Sequence, residues 1–115
     1  MFTLQWTPEA KAQYDDQKAR AEASLASRKK KAKTKSSKTE GLFKQIHKTL
    51  QLLAANPKHP GLATHEFHSL PHPYDNSQKV FEAYAQNQTP GAYRVFWCYG
   101  PKKQQITLIA ITPHP

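Results

Sequence analysis

The sequence predicts a small α+β fold in which an N-terminal strand and two helices pack on one face of an antiparallel β-sheet. The last third of the chain, residues 79–115, contains three β-rich segments separated by turns with Pro or Gly. Two segments with helix-start signals precede it, and a short stretch of alternating apolar and polar residues comes first. At 115 residues, the chain is predicted to be a single domain, residues 1–115.

The N-terminal segment is predicted to be a strand followed by a helix. Phe2, Leu4 and Trp6 alternate with polar residues, which predicts that these three side chains face the interior. Thr7 is a residue type that caps helices, and Pro8 suits the first helical position. The helix that follows is rich in Ala, Gln, Lys and Glu but has few apolar residues, so only part of it is expected to pack.

A lysine-rich segment comes next and dominates the charge of the chain. The chain has 17 Lys and Arg against 8 Asp and Glu, a net charge of +9, and residues 28–38 contain seven of the basic residues and no acidic one. Residues 27–39 are predicted to be a basic connector that either extends the first helix or is mobile. It either contacts phosphate groups or serves only as a solvated loop. The candidate RNA-binding residues in it are Arg28, Lys29, Lys30 and Lys31.

The second helix has clear signals at both ends. Ser37 and Glu40 fit a capping box, and Asn56-Pro57 is expected to end the helix. One stripe along the helix is apolar, which predicts that the helix covers one face of the sheet. The residues of this stripe are Leu42 or Phe43, Ile46, Leu50 and Leu53.

Three histidines, His65, His68 and His72, lie in the connection between the second helix and the C-terminal strands. A short strand is predicted within residues 62–70, followed by a loop. The spacing of the histidines matches no zinc motif, so they are interpreted as polar loop residues. No metal or other cofactor is expected.

The C-terminal strands form a predicted meander, and the middle one carries Arg94 among aromatic and aliphatic residues. One interpretation of Arg94 is a salt bridge, for example to Glu82 on the neighbouring strand; the other is an anion site on the exposed face of the sheet. Alternation separates the side chains of this strand into two faces. One face carries Tyr93, Val95, Trp97 and Tyr99, and the other carries Arg94, Phe96 and Cys98.

The cellular location is predicted from the cysteine content and the hydropathy of the chain. Cys98 is the only cysteine, which excludes an internal disulfide and fits a reducing compartment. It is interpreted as a small buried strand residue. No apolar run approaches the length of a membrane span, and the first residues do not have the pattern of a signal peptide. A cytoplasmic location without membrane contact is therefore expected.

With these elements in this order, the chain resembles the RelE/ParE superfamily of bacterial type II toxins. The resemblance covers nearly the whole chain. The segments that carry it are Leu4-Gln-Trp-Thr-Pro-Glu-Ala10, Leu50-Gln-Leu-Leu-Ala-Ala-Asn-Pro57, Gly91-Ala-Tyr-Arg-Val-Phe-Trp97 and Ile106-Thr-Leu-Ile-Ala-Ile-Thr-Pro-His114. The lysine-rich segment looks like an insertion between the two helices.

The resemblance implies a toxin of a type II toxin–antitoxin system. RelE-like members are endoribonucleases that cut mRNA on the ribosome and so inhibit translation, whereas ParE-like members poison DNA gyrase. Both kinds are neutralised by a cognate antitoxin protein. The implied activity of this chain is that of a metal-independent mRNA interferase. The alternatives are a gyrase inhibitor and a non-catalytic RNA-binding protein of the same fold.

The resemblance also implies roles for particular residues. The arginine that holds the scissile phosphate maps onto Arg94, the acid/base residue near the C-terminus maps onto His114, and the catalytic glutamate of some members maps onto Glu66. Arginine suits phosphate binding because it is permanently charged and can donate two hydrogen bonds at once. Tyr84 is interpreted either as a platform for a base or as a packed aromatic residue. Lys79 is a further candidate RNA contact.

Overall fold

In the computed structural model, residues 1–33, 35–86 and 91–113 are described. They form a five-stranded sheet with two helices on one of its faces, which confirms the predicted α+β class. The elements are β1 (Thr3–Trp6), α1 (Pro8–Lys30), α2 (Lys38–Ala55), β2 (His65–Phe67), β3 (Val80–Tyr84), β4 (Tyr93–Tyr99) and β5 (Gln105–Pro113). A short 3-10 helix, Pro60–Leu62, lies between α2 and β2.

The strand order in the sheet is β1-β5-β4-β3-β2. Neighbours among β2 to β5 are antiparallel, as expected for a meander, but β1 pairs with β5 in parallel. The sheet is therefore mixed rather than purely antiparallel. Residue alternation predicts which side chains share a face, but it does not encode which strand lies alongside which. The parallel pair joins opposite ends of the chain, so only the tertiary structure reveals it.

Both predicted helix starts are confirmed by their capping hydrogen bonds. The backbone N–H of Ala10 donates to the hydroxyl oxygen of Thr7 at 3.1 Å. At the start of α2, the backbone N–H of Glu40 donates to the Ser37 hydroxyl at 3.2 Å, and that of Ser37 donates to the Glu40 carboxylate at 3.0 Å. These reciprocal bonds are the two halves of a capping box and satisfy donors that the first helical turn leaves unpaired.

The core lies between α2 and the sheet. Ile46, Leu50 and Leu53, the predicted apolar stripe of α2, are buried together with side chains from β4 and β5. The N-terminal residues Phe2, Leu4 and Trp6 pack against the same cluster, as the alternation predicted. The sheet residues in this cluster are Ala83, Val95, Trp97, Ile106, Leu108 and Ile111.

Helix α1 packs on the sheet with its first half only. The side chain of Gln13 accepts a hydrogen bond from the backbone of Ile111 at 2.7 Å, and that of Gln17 donates to the Tyr93 hydroxyl at 3.1 Å. The 13 residues of α1 that follow Gln17 continue for about 20 Å at 1.5 Å per residue, alongside the start of α2. The two helices thus form a hairpin that projects from the sheet. No described helix is long and apolar enough to cross a membrane.

Candidate functional site

The candidate site lies on the face of the sheet that the helices leave uncovered, here called the open face. The register pairs Tyr84 with Arg94 and Glu82 with both Phe96 and His65, so alternate residues of β2, β3 and β4 point to the same side. The predicted division of β4 is confirmed, since Val95 and Trp97 lie in the core on the opposite side. The open face carries His65, Phe67, Val80, Glu82, Tyr84, Arg94, Phe96 and Cys98.

Arg94 is held against its own strand and an aromatic ring. One terminal nitrogen, Nη1, donates to the carbonyl oxygens of Ala92 at 2.9 Å and Tyr93 at 3.2 Å. The guanidinium carbon lies 3.9 Å from the centre of the Tyr84 ring, a cation–π contact. The residue is only 3% exposed. A phosphate can therefore reach the guanidinium only if this part of the open face widens or the arginine turns outwards.

The carboxylate of Glu82 is buried and contacts His65 on the neighbouring strand β2. Its side chain is 1% exposed and contacts Nε2 of His65, whose side chain is 48% exposed. Moving a carboxylate out of water costs several kcal/mol, and this cost is offset only by close partners. The contact with His65 therefore stabilises the buried carboxylate and holds the edge strand β2 against β3.

Tyr84 lies between the imidazole of His65 and the guanidinium of Arg94 on the open face. The ring of His65 has its centre 5.4 Å from that of Tyr84, and Arg94 lies over the same phenol ring. His65, Tyr84 and Arg94 therefore form a row across β2, β3 and β4, and the buried carboxylate of Glu82 lies within the same face. In this arrangement Tyr84 is a packed aromatic residue between an imidazole and a guanidinium group.

No pattern in the sequence indicates that His65 and Glu82 are in contact. The pattern predicts a polar loop residue at His65 and a possible partner of Arg94 at Glu82. The missing signal was the register of β2, because a shift by one residue exchanges the two faces of a strand. In the observed register His65 lies opposite Glu82, and this pairing turns two separate polar residues into one site.

The structure does not bring Glu66 to Arg94. Glu66 lies opposite Phe81, whose ring stacks on Trp97 on the helix side of the sheet. Its carboxylate lies 3.2 Å from Nε2 of His68 and 3.3 Å from Nζ of Lys79. Glu66 therefore belongs to a charged group at the edge of the sheet, on the face opposite to that of Arg94.

Lys79 is also distant from the row on the open face. It directly precedes β3, whereas Tyr84 ends that strand, so the two residues are about 16 Å apart at 3.3 Å per residue. The third predicted catalytic residue, His114, lies outside the described residues. Of the residues predicted to be catalytic or to contact RNA, Arg94 and Tyr84 are the two that lie together in this row within the described residues.

The open face also carries an apolar cleft and a buried cysteine. A cleft of about 250 Å³ lies next to Phe96 and is lined mainly by apolar side chains from β2, β5 and the loop after β2. Phe67 and Phe96 pack at its floor with their ring centres 4.7 Å apart. Cys98 is fully buried, and burial raises the pKa of its thiol to about 11, so it is not a nucleophile at neutral pH.

The histidines after α2 have separate structural surroundings. His65 contacts Glu82, His68 contacts Glu66, and the buried His72 accepts hydrogen bonds from the backbone N–H groups of Tyr74 and Asp75, both at 3.1 Å. Within the described residues, no three His, Cys, Asp or Glu side chains are grouped so that they could hold a metal ion.

The predicted RNA-binding residues of the lysine-rich segment lie at the tip of the helical hairpin. Arg28 is used within the hairpin, because Nη2 donates to the Glu40 carboxylate at 2.9 Å and the two side chains are 18% and 6% exposed. This contact, together with capping by Ser37, lowers the pKa of Glu40 to about 2. Helix α1 includes residues 27–30 of the predicted connector.

The lysines around Arg28 point into solvent. All are exposed, and none forms an ion pair with a carboxylate in the described part of the chain. The tip therefore presents uncompensated positive charge about 20 Å beyond the sheet. These residues, here called the basic tip, are Lys29, Lys30, Lys31, Lys33, Lys35 and Lys38.

Two solved structures share this fold. A YoeB/ParE toxin from Agrobacterium tumefaciens has a TM-score of 0.58 and 12% sequence identity, over 98% of this chain and 99% of its own. A chain of the archaeal RelE-RelB complex from Pyrococcus horikoshii OT3 has a TM-score of 0.55 and 11% identity, over 97% of this chain and 93% of its own. No protein-family model matches the sequence, and no curated protein matches it. The resemblance to the RelE/ParE superfamily is therefore confirmed at the level of the fold.

Proposed function

We propose that this chain is the toxin of a type II toxin–antitoxin system and inhibits translation by cleaving mRNA on the ribosome. The observation that supports this most directly is Arg94 on the open face, stacked on Tyr84, in a fold shared with a YoeB/ParE toxin and with a chain of a RelE-RelB complex. The neighbours alone do not distinguish a nuclease from a gyrase poison. The chemistry of the open face is what favours the nuclease.

Cleavage of RNA by its own 2′-hydroxyl group needs three functions. A base removes the hydroxyl proton, an acid protonates the leaving 5′-oxygen, and a fixed positive charge stabilises the phosphorane that forms between these steps. Arg94 supplies the fixed charge once it turns from the carbonyl groups that it now contacts. The aromatic ring of Tyr84 is then free to stack on a base of the substrate.

The positive charge of the basic tip supports the proposal that the target is a nucleic acid. The tip also offers that target a second surface to contact. Its lysines bind phosphate groups without reading sequence, and they lie far enough from the open face to contact a different part of a large RNA assembly. A ribosome offers such an assembly, since mRNA and structured ribosomal RNA lie close together in it. We assign the open face to the mRNA and the basic tip to the RNA backbone around it.

The toxin activity would be controlled by an antitoxin. A partner that neutralises this chain has to cover Arg94 or block the basic tip, and both surfaces favour negatively charged segments. A bound antitoxin strand or helix with carboxylates facing the sheet would satisfy these requirements.

The test is induced expression in a bacterium, with growth recorded and mRNA 5′ ends mapped. The wild type is compared with Arg94→Ala and with Arg20→Ala, a matched control in which the lost arginine is exposed and pairs with Asp16. We expect growth arrest and new cuts within translated regions for the wild type and the control. Removing one charge that stabilises a transition state costs about 10²–10³-fold in rate, so Arg94→Ala should neither arrest growth nor produce cuts.

The other outcomes identify the alternatives. Arrest without cuts but with a DNA-damage response would identify a gyrase poison, for which the projecting hairpin would be the binding element. No arrest from folded, soluble wild-type protein would indicate a non-catalytic relative. Equal cleavage by folded Arg94→Ala protein would contradict the role of Arg94. Thermal unfolding of each purified variant shows whether a loss of activity is only a loss of fold.

A further inference from the structure

We propose that His65 is the general base of the open face and that the buried carboxylate of Glu82 positions it. This inference rests on the RNA cleavage proposed above and assigns the proton transfer to a residue that neither the sequence pattern nor the resemblance indicated. Glu66, its neighbour in the chain, lies on the opposite face of the sheet. Of these two adjacent residues, only His65 can contact a substrate that also contacts Arg94.

The two partners in the contact between His65 and Glu82 differ in their exposure. The carboxylate is almost completely buried, whereas about half of the imidazole is open to solvent. The carboxylate binds Nε2, so this nitrogen is directed into the protein and the rest of the ring is directed outwards. A buried carboxylate that orients an exposed imidazole is the arrangement by which hydrolytic enzymes fix the tautomer and orientation of a catalytic histidine.

The second ring nitrogen is available for a substrate. When Nε2 donates its hydrogen to Glu82, the neutral ring keeps its lone pair on Nδ1. The described partner of Nδ1 is the carbonyl oxygen of Ala63 at 3.3 Å, a long hydrogen-bond contact in an exposed position. Because a carbonyl oxygen can only accept a hydrogen bond, this contact forms when Nδ1 carries a hydrogen. The tautomer that acts as a base carries its hydrogen on Nε2, against the carboxylate, and exchanges the Ala63 contact for the substrate hydroxyl.

The position of His65 fits a single nucleotide bound across Tyr84. The imidazole and the guanidinium of Arg94 lie on either side of one phenol ring. A ribose over Tyr84 would place its 2′-hydroxyl towards His65 and its 3′-phosphate towards Arg94. Among the described residues, the titratable or charged groups that face His65 are Glu82 and Tyr84 on β3 and, beyond the Tyr84 ring, Arg94 on β4.

In the proposed reaction, the 2′-hydroxyl group of the RNA attacks the adjacent phosphate. The 2′-oxygen forms a bond to phosphorus, its proton moves to Nδ1 of His65, and the bond between phosphorus and the 5′-oxygen breaks. The 5′-oxygen takes a proton from water or from a second acid, so the products are a 2′,3′-cyclic phosphate and a 5′-hydroxyl. The imidazolium that forms on His65 is stabilised by the adjacent Glu82 carboxylate, and the charge that forms on the phosphoryl oxygens is stabilised by Arg94.

The experiment measures mRNA cleavage on purified ribosomes as a function of pH, between about pH 5 and 8, where an imidazole titrates. The purified proteins are the wild type, His65→Gln, Glu82→Gln, Glu66→Gln and His68→Gln. Gln at position 65 can still donate a hydrogen bond to Glu82, so the edge strand keeps its anchor. His68→Gln is the matched control, because His68 is a highly exposed histidine of the same connection outside the open face.

We expect His65→Gln to lose about 10²–10⁴-fold in rate and to lose the fall in rate at acidic pH, while its unfolding temperature stays close to that of the wild type. Glu82→Gln should retain part of the activity, with the acidic fall moved to lower pH because the charge that favours imidazolium is gone. His68→Gln should behave as the wild type.

Two results overturn the inference while leaving the nuclease function standing. One is a folded His65→Gln protein that cleaves with the wild-type rate and pH profile. The other is loss of activity in Glu66→Gln with full activity in His65→Gln, which would assign the base to Glu66. A wild-type protein that cleaves no mRNA on ribosomes overturns both the inference and the proposed function.

Discussion

Neutralising the basic tip should weaken RNA binding in a way that depends on salt. The proposed change is the triple substitution of Lys29, Lys30 and Lys31 by Gln, which removes three of the six exposed lysines at the tip. All three side chains point into solvent and have no carboxylate partner among the described residues, so each is able to contact a phosphate. Arg28 is left in place because it holds the hairpin closed through Glu40.

The size of the effect follows from counterion release. Each phosphate contact with single-stranded RNA contributes about 0.7 to the slope of log affinity against log salt concentration, so three contacts contribute about 2. A fourfold rise in salt should therefore weaken the wild type about 20-fold more than the variant. The variant should also lose affinity for different RNA sequences to a similar extent, since phosphate contacts carry no sequence information.

The assay is fluorescence anisotropy of a labelled single-stranded RNA, titrated with each protein at several salt concentrations. The control is the triple substitution of Lys58, Lys102 and Lys103 by Gln, which removes the same charge from exposed positions away from the tip. An equal change in the slope of log affinity against log salt concentration for the two triple variants would refute this prediction, because net charge rather than the tip would then determine binding. An unchanged slope in the tip variant would refute it as well.

Two further predictions concern the hairpin and the partner. The pKa of Glu40 is lowered to about 2 in the folded protein from an ordinary value of 4.5, so its ion pair stabilises the fold above about pH 4.5, and this contribution is lost as the pH falls towards 2. Glu40→Gln should therefore unfold at a lower temperature than the wild type at pH 7. Between pH 4.5 and 2.5, its unfolding temperature should fall by less than that of the wild type. An equal fall in both proteins would contradict this prediction. Coexpression of a neighbouring-gene antitoxin should restore growth and yield a copurifying complex, and failure of that product to bind would remove the antitoxin proposal.

Local patterns in the sequence predicted most of the elements and their faces. The caps of both helices depend on residues within four positions of one another, and Thr7, Ser37 and Glu40 form the predicted bonds. The apolar stripe of α2 and the alternation of β4 are equally local, so Ile46, Leu53 and Val95 are in the core as expected. Arg94 could be placed on a central strand facing away from the core for the same reason.

The candidate site was only partly predictable because it depends on register and on distances between elements. A strand of three residues such as β2 gives too little alternation to fix its face. The resemblance maps the catalytic glutamate onto Glu66, whereas the fold places His65, and not Glu66, on the face of Arg94. Similarly, the charge pattern identified the lysine-rich segment but did not reveal that Arg28 is engaged by Glu40, 12 residues away.

Sequence patterns alone were enough to predict the α+β class, the helix boundaries to within a few residues, the inward and outward faces of the long strands, and the excess positive charge between the helices. The tertiary structure alone decided that β1 lies parallel to β5, that His65 meets Glu82, and that the basic tip is about 20 Å from the sheet. The physical reason is the range of the interactions. Caps and periodicity act within a few residues, whereas strand pairing and buried ion pairs join residues far apart in the chain, and their partners are selected by the packing of the whole fold.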